Sequence, residues 1–138
     1  MAGFTARQRL CGAAFTVQRI IAKNTATYTA GDLVNLETGE IDLAATADTN
    51  LVGVVLATVS ATDSVTKIPV AIDSDIVYGV DDPNARVKGA TLDIAGATGA
   101  MGVAASSNKE LVVHADCTAL EETLVRINVG KHHMNKAQ

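Results

Sequence analysis

Aromatic residues are nearly missing from this chain: it has no Trp, two Tyr and two Phe, which together make up 3% of 138 residues. That scarcity removes the stacking platforms used to hold single-stranded nucleic acid. It also counts against sugar recognition, which recruits Trp or Tyr faces. Basic residues are in deficit, with 11 Lys and Arg against 15 Asp and Glu and a formal charge of -4. A phosphate-binding module needs the opposite balance, because its affinity comes from counterions released by clustered cations. Two cysteines, Cys11 and Cys117, are too few for a disulfide framework and read as small, buried or half-buried residues in a reducing cytoplasm. No apolar run approaches the roughly 18 residues of a membrane span, and the N-terminus lacks the basic-then-apolar layout of a signal peptide. The expectation is a soluble, non-secreted protein with neither a nucleic-acid nor a membrane partner.

What is abundant is aliphatic: hydrophobic residues make up 48% of the chain. A length of 138 residues suits one domain that buries roughly two-thirds of its extended surface. Filled by Val, Ile, Leu and Ala, such a core fits pleated sheets, where β-branched side chains lose little freedom.

The strand signals are short and regularly punctuated. Gly31-Asp32 marks a turn before Leu33-Val34-Asn35-Leu36, and Glu37-Thr38-Gly39-Glu40 reads as a hairpin before Ile41-Asp42-Leu43. Leu51 to Val59 is apolar apart from Thr58, the mark of a strand buried on both sides or curling round a barrel, and Gly53 within it signals a bend or a close backbone approach. Val65 to Ile72 alternates, and Pro69 inside it predicts an edge strand or a bulge. A short strand follows around Ile76-Val77-Tyr78. Asp81-Asp82-Pro83-Asn84 then predicts the junction between two halves. Residues 95–105, rich in Gly and Ala, predict a loop with a brief strand at Met101-Gly102-Val103. Thr118 to Glu122 predicts a helical turn capped by Thr118 and Glu121, and Leu124 to Val129 the last strand. The fold class is therefore all-β, a small β-barrel or β-sandwich with an extended N-terminal arm. The organisation is residues 1–27 as arm and first strand, 28–130 as the β-rich domain, and 131–138 as a fraying tail.

The pattern is played twice. Gly31 and Gly89 are 58 residues apart, as are Val55 and Val113, and on that offset the Ile68 strand falls near Arg126.

No constellation recommends catalysis or a cofactor. His114-x-x-Cys117 has a spacing that can hold one metal, but the second pair, His132 and His133, falls in the tail; structural zinc wants four converging ligands. Asp73 and Asp75 share a strand face and, with Asp81 or Asp82, make a weak Ca²⁺ site conceivable against the commoner reading of solvated turns. Glu121 and Glu122 are adjacent and diverge if extended. Gly96-x-x-Gly99-x-x-Gly102 lacks the order and the Lys-Ser/Thr of a phosphate loop. The serines at 60, 64, 74, 106 and 107 stand in no nucleophile elbow. The expectation is no catalytic residue, no cofactor and no metal.

Ala30-Gly31-Asp32-Leu33-Val34, Leu51-Val52-Gly53-Val54-Val55 and Lys67-Ile68-Pro69-Val70-Ala71-Ile72 together resemble the head-decoration, or capsid cement, proteins of tailed bacteriophages. The resemblance covers residues 28 to 130 and implies a non-enzymatic virion protein, made in the cytoplasm of the host bacterium and bound to the capsid exterior. It also implies the major capsid protein as partner and self-association, as a trimer in first place and a dimer in second. Arg7, Arg9, Arg19 and Lys23 concentrate positive charge near the N-terminus of an acidic chain, so residues 1 to 23 are the expected contact with the shell or a neighbouring subunit. The alternative is a β-rich carbohydrate- or cell-surface-binding module of a phage fibre or spike. A third class is an enzyme with an intersubunit site around His114 and the acidic pairs.

Overall fold

The structure, a computed structural model, describes residues 3–23, 27–45, 47–61, 65–96, 98–105 and 108–132. Thirteen strands and no helix appear among these residues, so no helix is long and apolar enough to cross a membrane. The strands are β1 (Phe4–Arg9), β2 (Val17–Ile21), β3 (Thr27–Tyr28), β4 (Leu33–Glu37), β5 (Glu40–Leu43), β6 (Leu51–Val55), β7 (Val59–Ser60), β8 (Lys67–Ala71), β9 (Ile76–Val80), β10 (Thr91–Ala95), β11 (Gly102–Ala105), β12 (Leu111–Val113) and β13 (Thr123–Ile127). All ladders between them are antiparallel.

One sheet runs β2-β8-β6-β4-β5 and the other β1-β9-β13-β12-β10-β11. Replacing β2, β8, β6, β4 and β5 by β9, β13, β12, β10 and β11 turns the first order into the second, with β1 added at one edge. The duplication extends to single hydrogen bonds. Thr29 to Asp32 and Val87 to Ala90 are turns closed by Asp32 N–H to Thr29 O (2.9 Å) and Ala90 N–H to Val87 O (3.0 Å). Gly31 and Gly89 hold φ of 100° and 88° at the third position, where a side chain would be strained. Gly31 N–H bonds Val55 O and Gly89 N–H bonds Val113 O, both at 2.9 Å, and Val55 and Val113 return bonds to Asp32 O and Ala90 O, both at 2.8 Å. Even the small β3–β7 ladder has a counterpart, the isolated bridge between Arg86 and Cys117.

Two correspondences differ from expectation. Val55 pairs with Val70 but Val113 pairs with Val125, because the second half has a shorter connection there. The counterpart of Ile68 is thus Thr123 rather than Arg126. The junction also lies earlier than Asp81-Asp82-Pro83-Asn84: β9 pairs with β13 and belongs to the second sheet, so the chain crosses between sheets at 72–75.

The halves stack with one orientation repeated. Leu33, Leu51, Val54 and Ala71 on one face of the first sheet pack against Ile76, Tyr78, Val80, Leu92, Ile94, Leu111, Val113, Val125 and Ile127 of the second. The opposite face of the first sheet, with Val34, Val52, Val55, Ile68 and Val70, curls around Tyr28, whose hydroxyl donates to Ile41 O (3.1 Å). In the second sheet, the positions that match Leu33 and Ala71 are Thr91 and Arg126, both half-buried. The curled sheet does not close into a barrel; among the described residues its edges meet at a single parallel bridge, Ala22 to Ile41. The architecture is β-sandwich-like.

β6 is buried along its whole length, as its apolar run requires, but it ends at Val55 and the chain leaves the sheet through exposed Leu56, Ala57 and Thr58. Gly53 sits at a register shift between β4 and β6. A Cβ there would lie 1.7 Å from Ala71 O, the close approach its position signals. Pro69 is not at an edge, since β8 lies between β2 and β6. It is tolerated because it stands where β6 departs: Leu56 N–H still donates to Pro69 O (3.0 Å), and only the return bond is missing. Gly96 and residues 98–101 lie in the loop expected from the glycines, with β11 longer than the brief strand foreseen. Thr118 to Glu122 makes a turn and no helix, though Glu121 Oε2 accepts the Thr118 N–H (2.9 Å) as a capping box does.

Candidate binding surface

Residues 4–21 supply one edge strand of each of the two large sheets, β1 beside β9 and β2 beside β8. The arm is extended, and β1 is built into the sandwich: Phe4 is in the core, edge-to-face with Tyr78 at 6.4 Å. Phe4 N–H also bonds Gly31 O (2.8 Å).

The four N-terminal cations divide between these edges. On β1, Arg7 reaches across Gly79 to Glu122, with Nε on Oε1 (2.9 Å) and an Nη on Oε2 (2.5 Å). A Cβ at position 79 would meet that carboxylate at 2.1 Å. Arg9 donates to Asp75 Oδ1 (2.8 Å) and Ala14 O (3.3 Å) and lies 3.4 Å from Asp73. The hydrogen bond from Arg9 holds the Asp75 carboxyl below the usual carboxylate range. On β2, Arg19 is exposed and makes no hydrogen bond or ion pair among the described residues. Lys23, just beyond the strand, lies 3.5 Å from Asp42. The structure therefore brings Arg7 and Arg9 to one rim and Arg19 and Lys23 to the other. Glu122 and Asp75, which engage the first pair, carry no local signal, because the β1–β9–β13 pairing that unites them spans most of the chain. Lys67, opposite Ile21 in the β2–β8 ladder and so beside Arg19, was legible only once the two strands were paired.

The remaining candidates are engaged elsewhere. Arg9 occupies the place between Asp73 and Asp75 that a cation would take, and Asp73 also accepts the Thr16 N–H (2.6 Å). Burial alone would raise the Asp82 carboxyl, but Arg86 (2.6 Å) and Asn84 (3.1 Å) overturn it and hold the group low. No group of three or more metal-ligating side chains converges among the described residues. His114 is half-buried, and burial first, then Arg126 and Lys88, lowers its pKa. Cys117 Sγ lies 3.5 Å from Thr123 Oγ1. His132 is not in a fraying tail: it is buried and bridges in parallel to Leu51, whose N–H donates to Lys131 O (2.8 Å). His133 lies outside the described residues. Gly99 N–H (3.0 Å) and the Thr98 hydroxyl (2.6 Å) donate to the Asp32 carboxylate, so that segment of the glycine-rich loop faces an anion of the protein itself. Phe4, Tyr28 and Tyr78 are buried, and of the four aromatic residues Phe15 alone is half-buried.

No protein-family model matches this chain, and no curated protein matches it.

Proposed function

We propose that the chain is a structural virion protein that binds the outer surface of a phage capsid and stabilises the shell. The observation that carries the reading is the placement of β1 and β2 along one edge of each large sheet, which lays Arg7, Arg9 and Arg19, with Lys23 just beyond β2, on two extended rims. The motifs that resemble the decoration proteins support it, since the Gly31-Asp32 turn and the Gly53 approach organise the first sheet. Such a protein works through many copies on a repeating lattice, where avidity multiplies modest contacts. Self-association, with three copies about a local symmetry axis, belongs to the same reading.

The test is co-sedimentation of the purified chain with expanded capsids assembled without it. Saturable binding at a fixed ratio to the major capsid protein, with capsids then resisting heat at higher temperature, is the expected result. No binding at any protein concentration would end the proposal.

A further inference from the structure

The internal duplication exposes one unequal position. In the second sheet, the outer edge of β9 is covered by β1 over Phe4 to Arg9. In the first sheet, the equivalent edge of β2 carries no strand ladder among the described residues and is touched only at its end, where Ile41 of β5 bridges Ala22. The ladder with β8 shows which backbone groups face outward. Thr16 O accepts from Ile72 (3.1 Å) and Ala22 N–H donates to Thr66 O (2.9 Å). Thr16, Gln18, Ile20 and Ala22 therefore bond inward, and by alternation Val17, Arg19 and Ile21 direct N–H and C=O away from β8, but the parallel bridge of Ala22 to Ile41 already takes up the Ile21 C=O. With Lys23 N–H on Ile41 O (2.9 Å) in the same bridge, β5 closes this end of the edge, and the open stretch runs from Val17 to the Ile21 N–H.

We propose that the open edge of β2 is a strand-addition site that takes an extended, carboxylate-bearing segment of the shell protein as an antiparallel strand. The position of β1 on β9 shows the geometry that this edge accepts. The side chains supply the sign of the partner. Arg19 is exposed and without a partner among the described residues. Lys67 lies on the same face through its pairing with Ile21, and Val17, 52% exposed, adds an apolar contact. A second copy is disfavoured, since antiparallel pairing of β2 with itself over its full length sets Arg19 opposite Arg19, and like charges directly opposite repel. The same charge that excludes self-pairing admits an acidic strand, so one residue provides both the repulsion and the attraction that specificity requires.

The identity of the partner rests on the capsid reading; the edge itself is tested separately. Amide exchange of the full chain, followed residue by residue, is expected to show Val17, Arg19 and Ile21 exchanging freely beside protected Gln18 and Ile20. Protection that grows with protein concentration would assign the edge to a second copy, and protection at every concentration to the chain's own remaining residues; either overturns the proposal. On expanded capsids the three amides should slow at least tenfold, and Arg19→Glu should weaken binding about tenfold with an unchanged thermal midpoint. Capsid binding with these amides still open would overturn the edge and leave the capsid reading standing. If capsids do not bind, a blocked heptapeptide of alternating valine and glutamate decides: it should shift the three amides where its lysine counterpart does not, and silence from both overturns the site.

Discussion

Asp32 is fully buried, and its carboxylate accepts from Thr29 N–H (2.9 Å), the Thr98 hydroxyl (2.6 Å) and Gly99 N–H (3.0 Å). The first bond holds a turn of the first half; the other two fasten a loop of the second half onto it. Asp32→Ala removes three hydrogen bonds to a buried carboxylate, although the exposed Thr98 and Gly99 can turn to water, and is expected to cost about 3 kcal/mol, lowering the thermal midpoint by roughly 10 °C in calorimetry. Glu110 is a different kind of buried acid. Its Oε1 accepts from Ile94 (3.2 Å) and Ala47 (3.3 Å), while its Oε2 has no partner among the described residues. Burial raises its pKa above the ordinary 4.5, and Asp93 adds to the rise. A carboxyl raised in the folded state favours folding fully below its unfolded pKa and loses that contribution as pH rises through the folded value. Glu110→Gln removes this titration. Denaturation midpoints measured from about pH 4 to pH 7 should therefore show the variant gaining on the parent protein as pH increases.

Among the elements, β6 depends on one absence of a side chain. Gly53→Ala drives a methyl into Ala71 O and must part β6 from β8, so a loss of more than about 3 kcal/mol is expected. Gly102→Ala serves as the control: a Cβ there meets nothing within 4 Å, and the denaturation midpoint should change by less than about 0.5 kcal/mol. The role of Gly53 was legible from its place in a doubly apolar run, as were the hairpin at Glu37 to Glu40, the Gly31 turn and the 58-residue offset. These are local signals, carried by neighbours in the chain. Pro69 misled because proline reports a missing donor without saying which neighbour strand is absent. The edge position of β1 was illegible because Phe4, Arg7 and Arg9 find Tyr78, Glu122 and Asp75 only after a pairing across more than sixty residues. On the candidate surface, the charge cluster could be read but its division between two rims could not, since that follows from strand order.

For the molecule as a whole, the shared core ties the halves together. Leu33, Leu51, Val54 and Ala71 lie in one cluster with the interior of the second sheet, so neither half can unfold without exposing the other. A single cooperative transition is expected, with calorimetric and van't Hoff enthalpies equal and near 100 kcal/mol at about 60 °C. Two separated transitions would show that the halves are independent.

The repeated orientation of the halves carries one more consequence. A unit whose outer face fits the inner face of the next copy has no geometric reason to stop at two, as in solenoids that grow until a terminal repeat presents a polar surface. Thr91 and Arg126 stand where the first half has Leu33 and Ala71, and they make the second half such a terminal repeat. Because the opposite face of the first sheet is already closed over Tyr28, restoring the apolar pair with Thr91→Leu and Arg126→Ala should not lengthen the stack but leave one apolar face that pairs with its like, visible as a doubled mass in light scattering.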